Sequence, residues 1–346
     1  MGLRHLALCA GLAAAPAAAD TIRVASYDPN LTRKGPGLLL RDIMSGKDEQ
    51  VLAAALVIAE ADADILLLTG IDWDHDLAAL RAFAQLLARG GTNYPHRLAL
   101  QPNSGMKSGA DLDGDGRLGE PEDSQGWGSF TGQNGMAILS RFPIGEVTDY
   151  SEMLWKDLPG NMIGDTLSPE AAEVQRLSNT GHWDVEVLTS PPLHLLAYSA
   201  TPPVFDGPED RNGRRNHDEN IFWLSHLPDA PFVLAGNANL DPVDGEGRHE
   251  AIAALLNDPR LQDPEPQSAG ASEAADPNHL GDPAQDTADW PDDAPGNLRV
   301  TYILPSAKID TSAAGTFWPA PGEPLAGAVA AASPHRLVWV DLELDN

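Results

Sequence analysis

Residues 111–122 contain acidic side chains at the spacing of a calcium-binding loop. The segment fits the pattern Asp-x-Asp-x-Asp-Gly followed by five residues and Glu. Alternate positions supply side-chain oxygens, and Gly116 permits the sharp turn that wraps the backbone around an ion. The predicted ligands are Asp111, Asp113, Asp115, the backbone carbonyl of Arg117, and Glu122. The pattern therefore predicts Ca²⁺ as a bound cofactor with a structural role.

The flanks of this loop do not favour helices. Gly105, Gly109 and Pro121 all oppose helix formation, so we expect an isolated loop and not a paired EF-hand sensor. Leu118 is expected to anchor the loop to the core. The alternative interpretation is an acidic surface turn, because Asp-Gly pairs are common in turns.

A second group of candidate residues is cationic and lies in an otherwise acidic chain. Its members are Arg211, Arg214, Arg215 and His217. Such a cluster could recognise a phosphate or a carboxylate. The alternative is ion pairing with the acidic side chains nearby in sequence, which are Asp206, Glu209, Asp210 and Asp218. The sequence leaves both interpretations open.

Composition limits the class of partner. The 346 residues carry a formal net charge of −29, and 42% of them are hydrophobic. A sizeable core is therefore expected, while so much negative charge disfavours nucleic acid, whose binding depends on neutralising phosphates. We expect a small phosphoester or another small anionic ligand as partner, no membrane, and a monomeric chain.

The N-terminus has the features of an export signal. A short basic start precedes an apolar run from Leu6 to Ala15, and small residues at 17–19 fit a cleavage site before Asp20. Residues 1–19 are thus predicted to be a signal peptide, and the chain to be periplasmic or secreted. Cys9 leaves lipid attachment as an alternative, although Leu8 occupies a position where a small residue is expected.

Apolar periodicity predicts the elements that position these residues. Strands are expected at 22–27, 64–68, 136–139, 182–188, 193–198, 232–235, 300–304 and 337–344, and helices at 48–61, 77–89, 216–227 and 249–256. Strands and helices mix without a strict repeat, which favours a mixed sheet or two packed sheets. Residues 258–297 are rich in Pro, Asp, Ala and Gly and are predicted to form a long acidic loop.

Seven segments, in order, resemble the endonuclease/exonuclease/phosphatase superfamily, in a bacterial exported branch. They are 22–28 (IRVASYD), 64–70 (DILLLTG), 132–141 (GQNGMAILSR), 201–207 (TPPVFDG), 236–239 (GNAN), 299–305 (RVTYILP) and 333–335 (SPH). The resemblance implies an α/β fold of four layers, in which helices flank two packed mixed β-sheets within a single domain, residues 20–346. It also implies that the family hydrolyses phosphoesters, with Mg²⁺ or Mn²⁺ bound in a cleft at one end of the two packed sheets.

The same segments depart from the family at the positions that perform catalysis. The family's Asn at the end of the first strand is Asp28, its metal-binding Glu is Gly70, and its Gly-Asp-Phe-Asn aspartate is Asn237. The family's Tyr is replaced by Asn134 and its first His by Ser199. Two further Asp of the family are replaced by Thr301 and Pro334. Asn239 and His335 are retained. These neutral replacements weaken the case for Mg²⁺ or Mn²⁺ in the cleft, since hydrolysis needs charge neutralisation and proton transfer.

Three functional hypotheses follow from this pattern. The first is a calcium-stabilised pseudoenzyme that binds a ligand or partner without turnover, and the sequence favours it. The second is an active hydrolase with a rebuilt site that acts on small phosphoesters, motivated by Asp28, Asn239, His335 and the arginines. Asp72 and Asp74 could complete a relocated metal site with Asp28, although these two are also explained as ordinary loop acids. The third is a calcium-binding module with a vestigial cleft.

Overall fold

The chain folds around two β-sheets that pack face to face. The computed structural model describes residues 20–292 and 295–344. The predicted signal peptide, including Cys9, lies outside the described residues. The strands are β1 (Asp20–Tyr27), β2 (Ile65–Ile71), β3 (His96–Leu98), β4 (Gly135–Ser140), β5 (Ile144–Asp149), β6 (His182–Val187), β7 (Leu193–Ser199), β8 (Phe232–Asn237), β9 (Thr301–Pro305), β10 (Asp310–Phe317) and β11 (Leu337–Leu344).

Both sheets are mixed. The first has the strand order β10-β11-β1-β2-β4-β3, and the second has the order β5-β6-β7-β8-β9. The pairs β1/β2 and β7/β8 are parallel, while the other pairs are antiparallel. The predicted fold of two packed sheets with flanking helices is confirmed.

The helices cover the outer faces of the two sheets. They are α1 (Leu38–Ser45), α2 (Glu49–Ala61), α3 (Ala78–Arg89), α4 (Pro169–Ala172), α5 (Arg211–Ile221), α6 (Glu250–Leu256), α7 (Ala269–Glu273) and α8 (Ala326–Ala332). Helices α1, α2, α3 and α8 pack on the first sheet, and α6 packs on the second. Within the described residues, no helix combines the length and apolar character that crossing a membrane requires.

Strand β2 shows why the apolar runs form buried strands. Leu66 and Leu68 face the helices of the first sheet, whereas Leu67 faces the second sheet. A strand covered on both faces needs apolar side chains at every position, because successive residues point to opposite sides. The continuous apolar run beginning at Ile65 satisfies this requirement.

Helix α5 begins five residues earlier than the sequence pattern predicts. Its buried residues include Arg215, Asn216, Asp218 and Glu219, so the buried face is polar and lacks an apolar stripe. Apolar periodicity cannot find such a helix. The edge strand β5 is missed for a related reason, since none of its residues is buried.

The acidic segment is mostly loop, as predicted, but short elements and bridges hold it to the rest of the fold. We call residues 258–292 of this segment the strap. The strap contains α7 and a 3₁₀ turn at Pro283–Gln285, and Ala288 forms β-bridges with both Leu298 and His335. It is therefore attached to the segments that lead into β9 and β11.

Candidate functional site

The apolar layer between the sheets becomes polar at one end of the sandwich. On each of four strands, the residues that face this layer are apolar up to the last inward position at this end of the sandwich. The residues at those last positions are Ser26, Ser199, Asn237 and Thr301, and all are buried. Strand pairing places Asn237 directly between Ser199 and Thr301. A row of neutral polar side chains thus closes this end of the sandwich, where the resemblance implies a cleft, and we call this row the cleft floor.

Several polar atoms of this floor lack partners. Within residues 20–292 and 295–344, the Ser26 hydroxyl, the Asn237 Oδ1 and the Thr301 hydroxyl form no hydrogen bond. An unsatisfied buried polar atom costs about 1–3 kcal/mol. Such atoms usually have water or a ligand as their partner. The floor can therefore accept or donate hydrogen bonds to a small polar molecule.

Asp28 fills the space that a side chain at position 70 would need. A Cβ built on Gly70 would lie 2.0 Å from Asp28 Oδ1, and Gly70 has a φ of +63°. Asp28 Oδ1 also accepts a hydrogen bond from the Asn30 amide at 2.9 Å. The two positions are thus coupled, since the Asp28 carboxylate occupies the space beside Gly70 and would have to move to admit a side chain there.

His335 is retained but has a new environment. Its Nδ1 is buried and has no hydrogen-bond partner among the described residues, and its ring meets Trp290 edge-on at 5.2 Å. Burial lowers the pKa of His335, while the nearby Asp28 carboxylate acts in the opposite direction. The ring is therefore neutral near pH 7, with a free nitrogen in the cleft.

The strap runs across the cleft between the two sheets. Thr287 Oγ1 accepts hydrogen bonds from the Val300 and Thr301 amides at 2.9 and 3.0 Å. The Thr287 carbonyl accepts one from the Arg336 amide at 2.7 Å, and the Asp289 amide donates to the Pro334 carbonyl at 2.9 Å. This segment joins the start of β9 to the start of β11.

The other acids near the cleft hold the scaffold. Asp72 is buried and accepts hydrogen bonds from the Thr32 hydroxyl, the Arg33 amide and the Asn134 amide, while burial raises its pKa. Asp74 accepts from two amides at the start of α3. These contacts are those of ordinary loop acids. Retained Asn239 has a φ of +51° and donates from Nδ2 to the Ala200 carbonyl.

The donor set of the cleft does not fit the catalytic Mg²⁺ or Mn²⁺ site that the resemblance implies. Both ions prefer carboxylate and other oxygen ligands. Among the nine family positions, Asp28 alone carries a carboxylate, and it occupies the space of the missing ligand at Gly70. The remaining floor consists of hydroxyl and amide groups, which do not balance the charge of a divalent cation.

The four predicted cationic residues do not form one surface. The Arg215 guanidinium is buried and donates to the carbonyls of Gln125, Arg176, Leu177 and Ser178. Arg214 lies 3.6 Å from the exposed Asp165, and His217 Nδ1 lies 2.9 Å from Asp218. Arg211 donates to the Leu112 carbonyl at 2.7 Å. These placements favour the structural interpretation, and ligand binding by them stays a prediction.

Arg215 and Glu219 are two buried charged residues on the same helix, α5. Glu219 accepts hydrogen bonds from the Asn179 and Thr201 amides at 2.6 Å each. Burial raises the pKa of Glu219 to about 7 and lowers that of Arg215 to about 10, with each charge partly offsetting the effect on the other. The pair fixes α5 against the segments that border the cleft. The sequence pattern does not reveal that the buried face of α5 is polar.

The predicted calcium ligands are only partly brought together. Asp111, Asp113 and Asp115 each offer an oxygen within 4.8 Å of the others. Asp111 also accepts hydrogen bonds from the Gly114 and Gly116 amides at 2.7 and 2.9 Å. Glu122 lies outside this group and accepts a hydrogen bond from Trp127. The Arg117 backbone amide donates a hydrogen bond to Asp115 at 2.8 Å.

The predicted anchor of this loop was wrong. Leu118 is 70% exposed, whereas Leu112 is 3% exposed and packs inward. Asp123, one residue beyond the predicted Glu122 ligand, is buried and accepts hydrogen bonds from the Leu112, Gly119 and Glu120 amides. The short 3₁₀ turn at Pro121–Asp123 directs Asp123 inward in this way.

Known proteins share this architecture. The model of the Endonuclease/Exonuclease/phosphatase family matches residues 44–335. An endonuclease/exonuclease/phosphatase from Beutenbergia cavernae has a TM-score of 0.58 at 17% identity, covering 94% of this chain and 72% of its own. A Bacteroides vulgatus endonuclease/exonuclease/phosphatase has a TM-score of 0.52 at 11% identity, and the match covers 94% of this chain and 100% of that protein. No curated protein matches the chain significantly. At these identities the two structures support the fold alone.

Gly70→Ala tests the coupling between Asp28 and Gly70. We expect the free energy of unfolding to fall by about 2–4 kcal/mol, because overpacking adds to left-handed backbone strain. Gly160→Ala is the matched control, since Gly160 also has a positive φ of +76° but its Cβ would meet nothing within 4 Å. In an Asp28→Ala background, urea unfolding should show the Gly70→Ala cost reduced to that of the control. An unchanged cost in that background would contradict the coupling.

Arg215→Ala tests the structural role of the cationic cluster. Removing the buried guanidinium leaves four backbone carbonyls without their donor, and a buried unsatisfied acceptor costs about 1–3 kcal/mol, so urea unfolding should show a loss of roughly 3 kcal/mol or more. Arg214→Ala is the control, because its acidic partner is 97% exposed and such surface pairs contribute about 0–1 kcal/mol. Equal stability of the two variants would favour a ligand-binding role for Arg215.

Proposed function

The chain belongs to the Endonuclease/Exonuclease/phosphatase family, and from that premise we propose that it is a member without catalytic turnover, whose cleft binds a small polar ligand. The observation that carries the proposal is the cleft floor. Its inward side chains are neutral, and the Ser26, Asn237 and Thr301 oxygens have no hydrogen-bond partner in the described part of the chain. Small phosphoesters are the first ligand class to test, because the family name includes phosphatases.

Loss of charge supports the absence of turnover. Asn237 and Thr301 cannot accept a proton at neutral pH, and Gly70 offers no ligand atom. Pro334 offers His335 no carboxylate, so the group that would orient the ring is missing. Loss of one acid–base group commonly costs about 10²–10⁴ in rate. Several such losses together leave little of a shared hydrolytic mechanism.

An active hydrolase with a rebuilt site is the second candidate. The observation that favours it is the Asp28 carboxylate, which lies where a side chain of residue 70 would begin. In that case Asp28 would act as the new acidic group, with His335 and Asn239 as the retained polar groups. A structural module with a vestigial cleft is the third candidate, and ligand binding separates it from the first.

We also propose that the loop at 111–122 binds Ca²⁺ and that the chain acts outside the cytoplasm. The three carboxylate oxygens within 4.8 Å support the ion, since Ca²⁺ is bound by clustered oxygens. The Arg211 contact with Leu112 connects this loop to α5 and the cleft border. Calcium is abundant outside cells, which would suit a site of moderate affinity, as in extracellular modules.

Hydrolysis of a panel of phosphomonoesters and phosphodiesters, with Mg²⁺, Mn²⁺ or Ca²⁺, tests catalysis. We expect no rate above buffer for the purified chain, and no difference between it and the variants His335→Ala and Asp28→Asn. Thermal shift with inorganic phosphate and nucleoside monophosphates then tests binding. We expect a shift that Asn237→Ala abolishes and that the surface control Asn257→Ala retains.

The outcomes of these assays separate the candidates. A metal-dependent rate that both His335→Ala and Asp28→Asn remove would establish the rebuilt hydrolase instead. No rate and no ligand shift would leave the structural module. Circular dichroism of each variant ensures that lost binding does not reflect lost folding.

If the loop at 111–122 binds Ca²⁺, the folded protein should be more stable with Ca²⁺ than without it. At a Ca²⁺ concentration about 100 times the Kd, the free energy of unfolding should rise by about 2.7 kcal/mol. The double variant Asp113→Asn/Asp115→Asn should lose this gain, measured by urea unfolding with Ca²⁺ or a chelator. Asp76→Asn, which changes an exposed acid outside the loop, should keep it. A gain that persists in the double variant would contradict binding at residues 111–122.

A further inference from the structure

A cavity of about 310 Å³ lies between the strap, the segment that follows β10, and helix α8. This volume is at the small end of the range for ligand pockets, roughly 300–1,000 Å³. Most of the wall is apolar and includes Trp318, Pro319, Pro321, Val329 and Ala330. None of the residues that line the cavity belongs to the cleft floor or to the loop at 111–122.

Close packing fixes one side of this cavity. The Gly270 amide, in α7, donates a hydrogen bond to the Trp318 carbonyl at 3.0 Å. A Cβ at position 270 would lie 2.4 Å from that carbonyl oxygen, so only glycine lets α7 approach this closely. The cavity is therefore preformed, because the strap helix and the segment after β10 hold each other in place.

A buried cation, Arg336, lines the cavity. Its side chain is 2% exposed, and its Cζ lies 4.3 Å from the centre of the Trp318 ring. Nη1 donates to the Ser333 and His335 carbonyls at 2.6 and 3.4 Å, and Nη2 donates to Asp289 Oδ2 at 2.5 Å. The Nε atom is buried and has no partner within residues 20–292 and 295–344. Since buried donors are normally paired, Nε–H needs an acceptor, and the cavity has room for one.

The charges around Arg336 favour an uncharged acceptor. Asp289 already offsets the guanidinium charge, and Glu273, exposed at the end of α7, adds a second carboxylate to the lining. A carboxylate or phosphate ligand would therefore meet net negative charge, whereas an amine would meet the buried guanidinium. A secondary amide avoids both costs, because its carbonyl accepts from Nε–H and its N–H can donate to one of the two carboxylates.

We propose that this cavity binds a small uncharged amide with an apolar side chain, of the size of a capped amino acid. The amide carbonyl accepts the hydrogen bond from Arg336 Nε–H, and the apolar side chain packs on Pro319, Pro321 and Val329. Burial of the apolar group supplies most of the affinity, while the hydrogen bond to Nε–H fixes the orientation of the ligand. This binding does not require a ligand in the cleft.

Titration of the isotope-labelled chain with N-acetyl-L-leucinamide tests this site by NMR. We expect the Arg336 Nε–H resonance, assigned by its absence from Arg336→Lys, to shift saturably. N-acetylglycinamide, which lacks the apolar side chain, and N-acetyl-L-leucine, which carries a carboxylate, should each bind about tenfold more weakly. Ala330→Phe should fill the cavity and abolish the shift. Ala331→Phe, at an exposed position of the same helix outside the lining, is the matched control and should retain it.

Three outcomes overturn the proposal. A shift that Ala330→Phe retains would mean that the amide binds elsewhere. No saturable shift with N-acetyl-L-leucinamide would mean that water alone meets the Arg336 Nε–H. Tighter binding of N-acetyl-L-leucine would mean that the cavity selects an anion. If Arg336→Lys fails to fold, judged by circular dichroism, saturation-transfer signals of the amide decide, compared between the two phenylalanine variants, whose exposed helix positions tolerate the substitution.

Discussion

The apolar layer shared by the two sheets is the constraint on which the rest of the structure depends. Residues such as Val24, Leu67, Ala235 and Val338 fill this layer, and each is fully buried. Polar side chains can face it only where the strands end, because a polar group inside it would lack a partner. The polar row accordingly lies at the ends of β1, β7 and β8 and the start of β9.

That same constraint explains the chemistry of the cleft. Several carboxylates brought together at a buried strand end repel one another, unless a metal ion offsets their charge. Here the row Ser199, Asn237 and Thr301 is neutral, and the one acid, Asp28, fills the space beside Gly70. Buried ionisable groups are retained next to the cleft instead, on Arg215 and Glu219 of α5, where backbone carbonyls and amides hold each side chain.

Sequence periodicity could predict the strands because they are buried on both faces. The run at 65–68 is apolar at every position, while the last strand alternates buried apolar residues with Asp341 and Glu343. It could not predict α5, whose buried face is polar, or the anchor Leu112, which the Asp123 carboxylate holds inward through a backbone hydrogen bond. Motif spacing identified Asp111, Asp113 and Asp115 but not the outward position of Glu122, which depends on the 3₁₀ turn that follows the loop.

The strap shows why composition alone misjudges such segments. Residues 258–297 lack the periodicity of a helix or strand, and their acids suggest a solvated loop. The order comes from contacts that have no linear signature, such as Thr287 Oγ1 receiving two amides from the start of β9. Trp290 is the one large apolar residue that marks this part of the strap, and it packs on His335. In a chain with net charge −29, an acidic strap can remain close to acidic turns only where each carboxylate has a specific donor or a cation. Asp244 has two such donors, whereas Asp286 Oδ2 has none in the described residues, and burial among other acids raises the pKa of Asp286 to about 8, which removes most of its charge near pH 7.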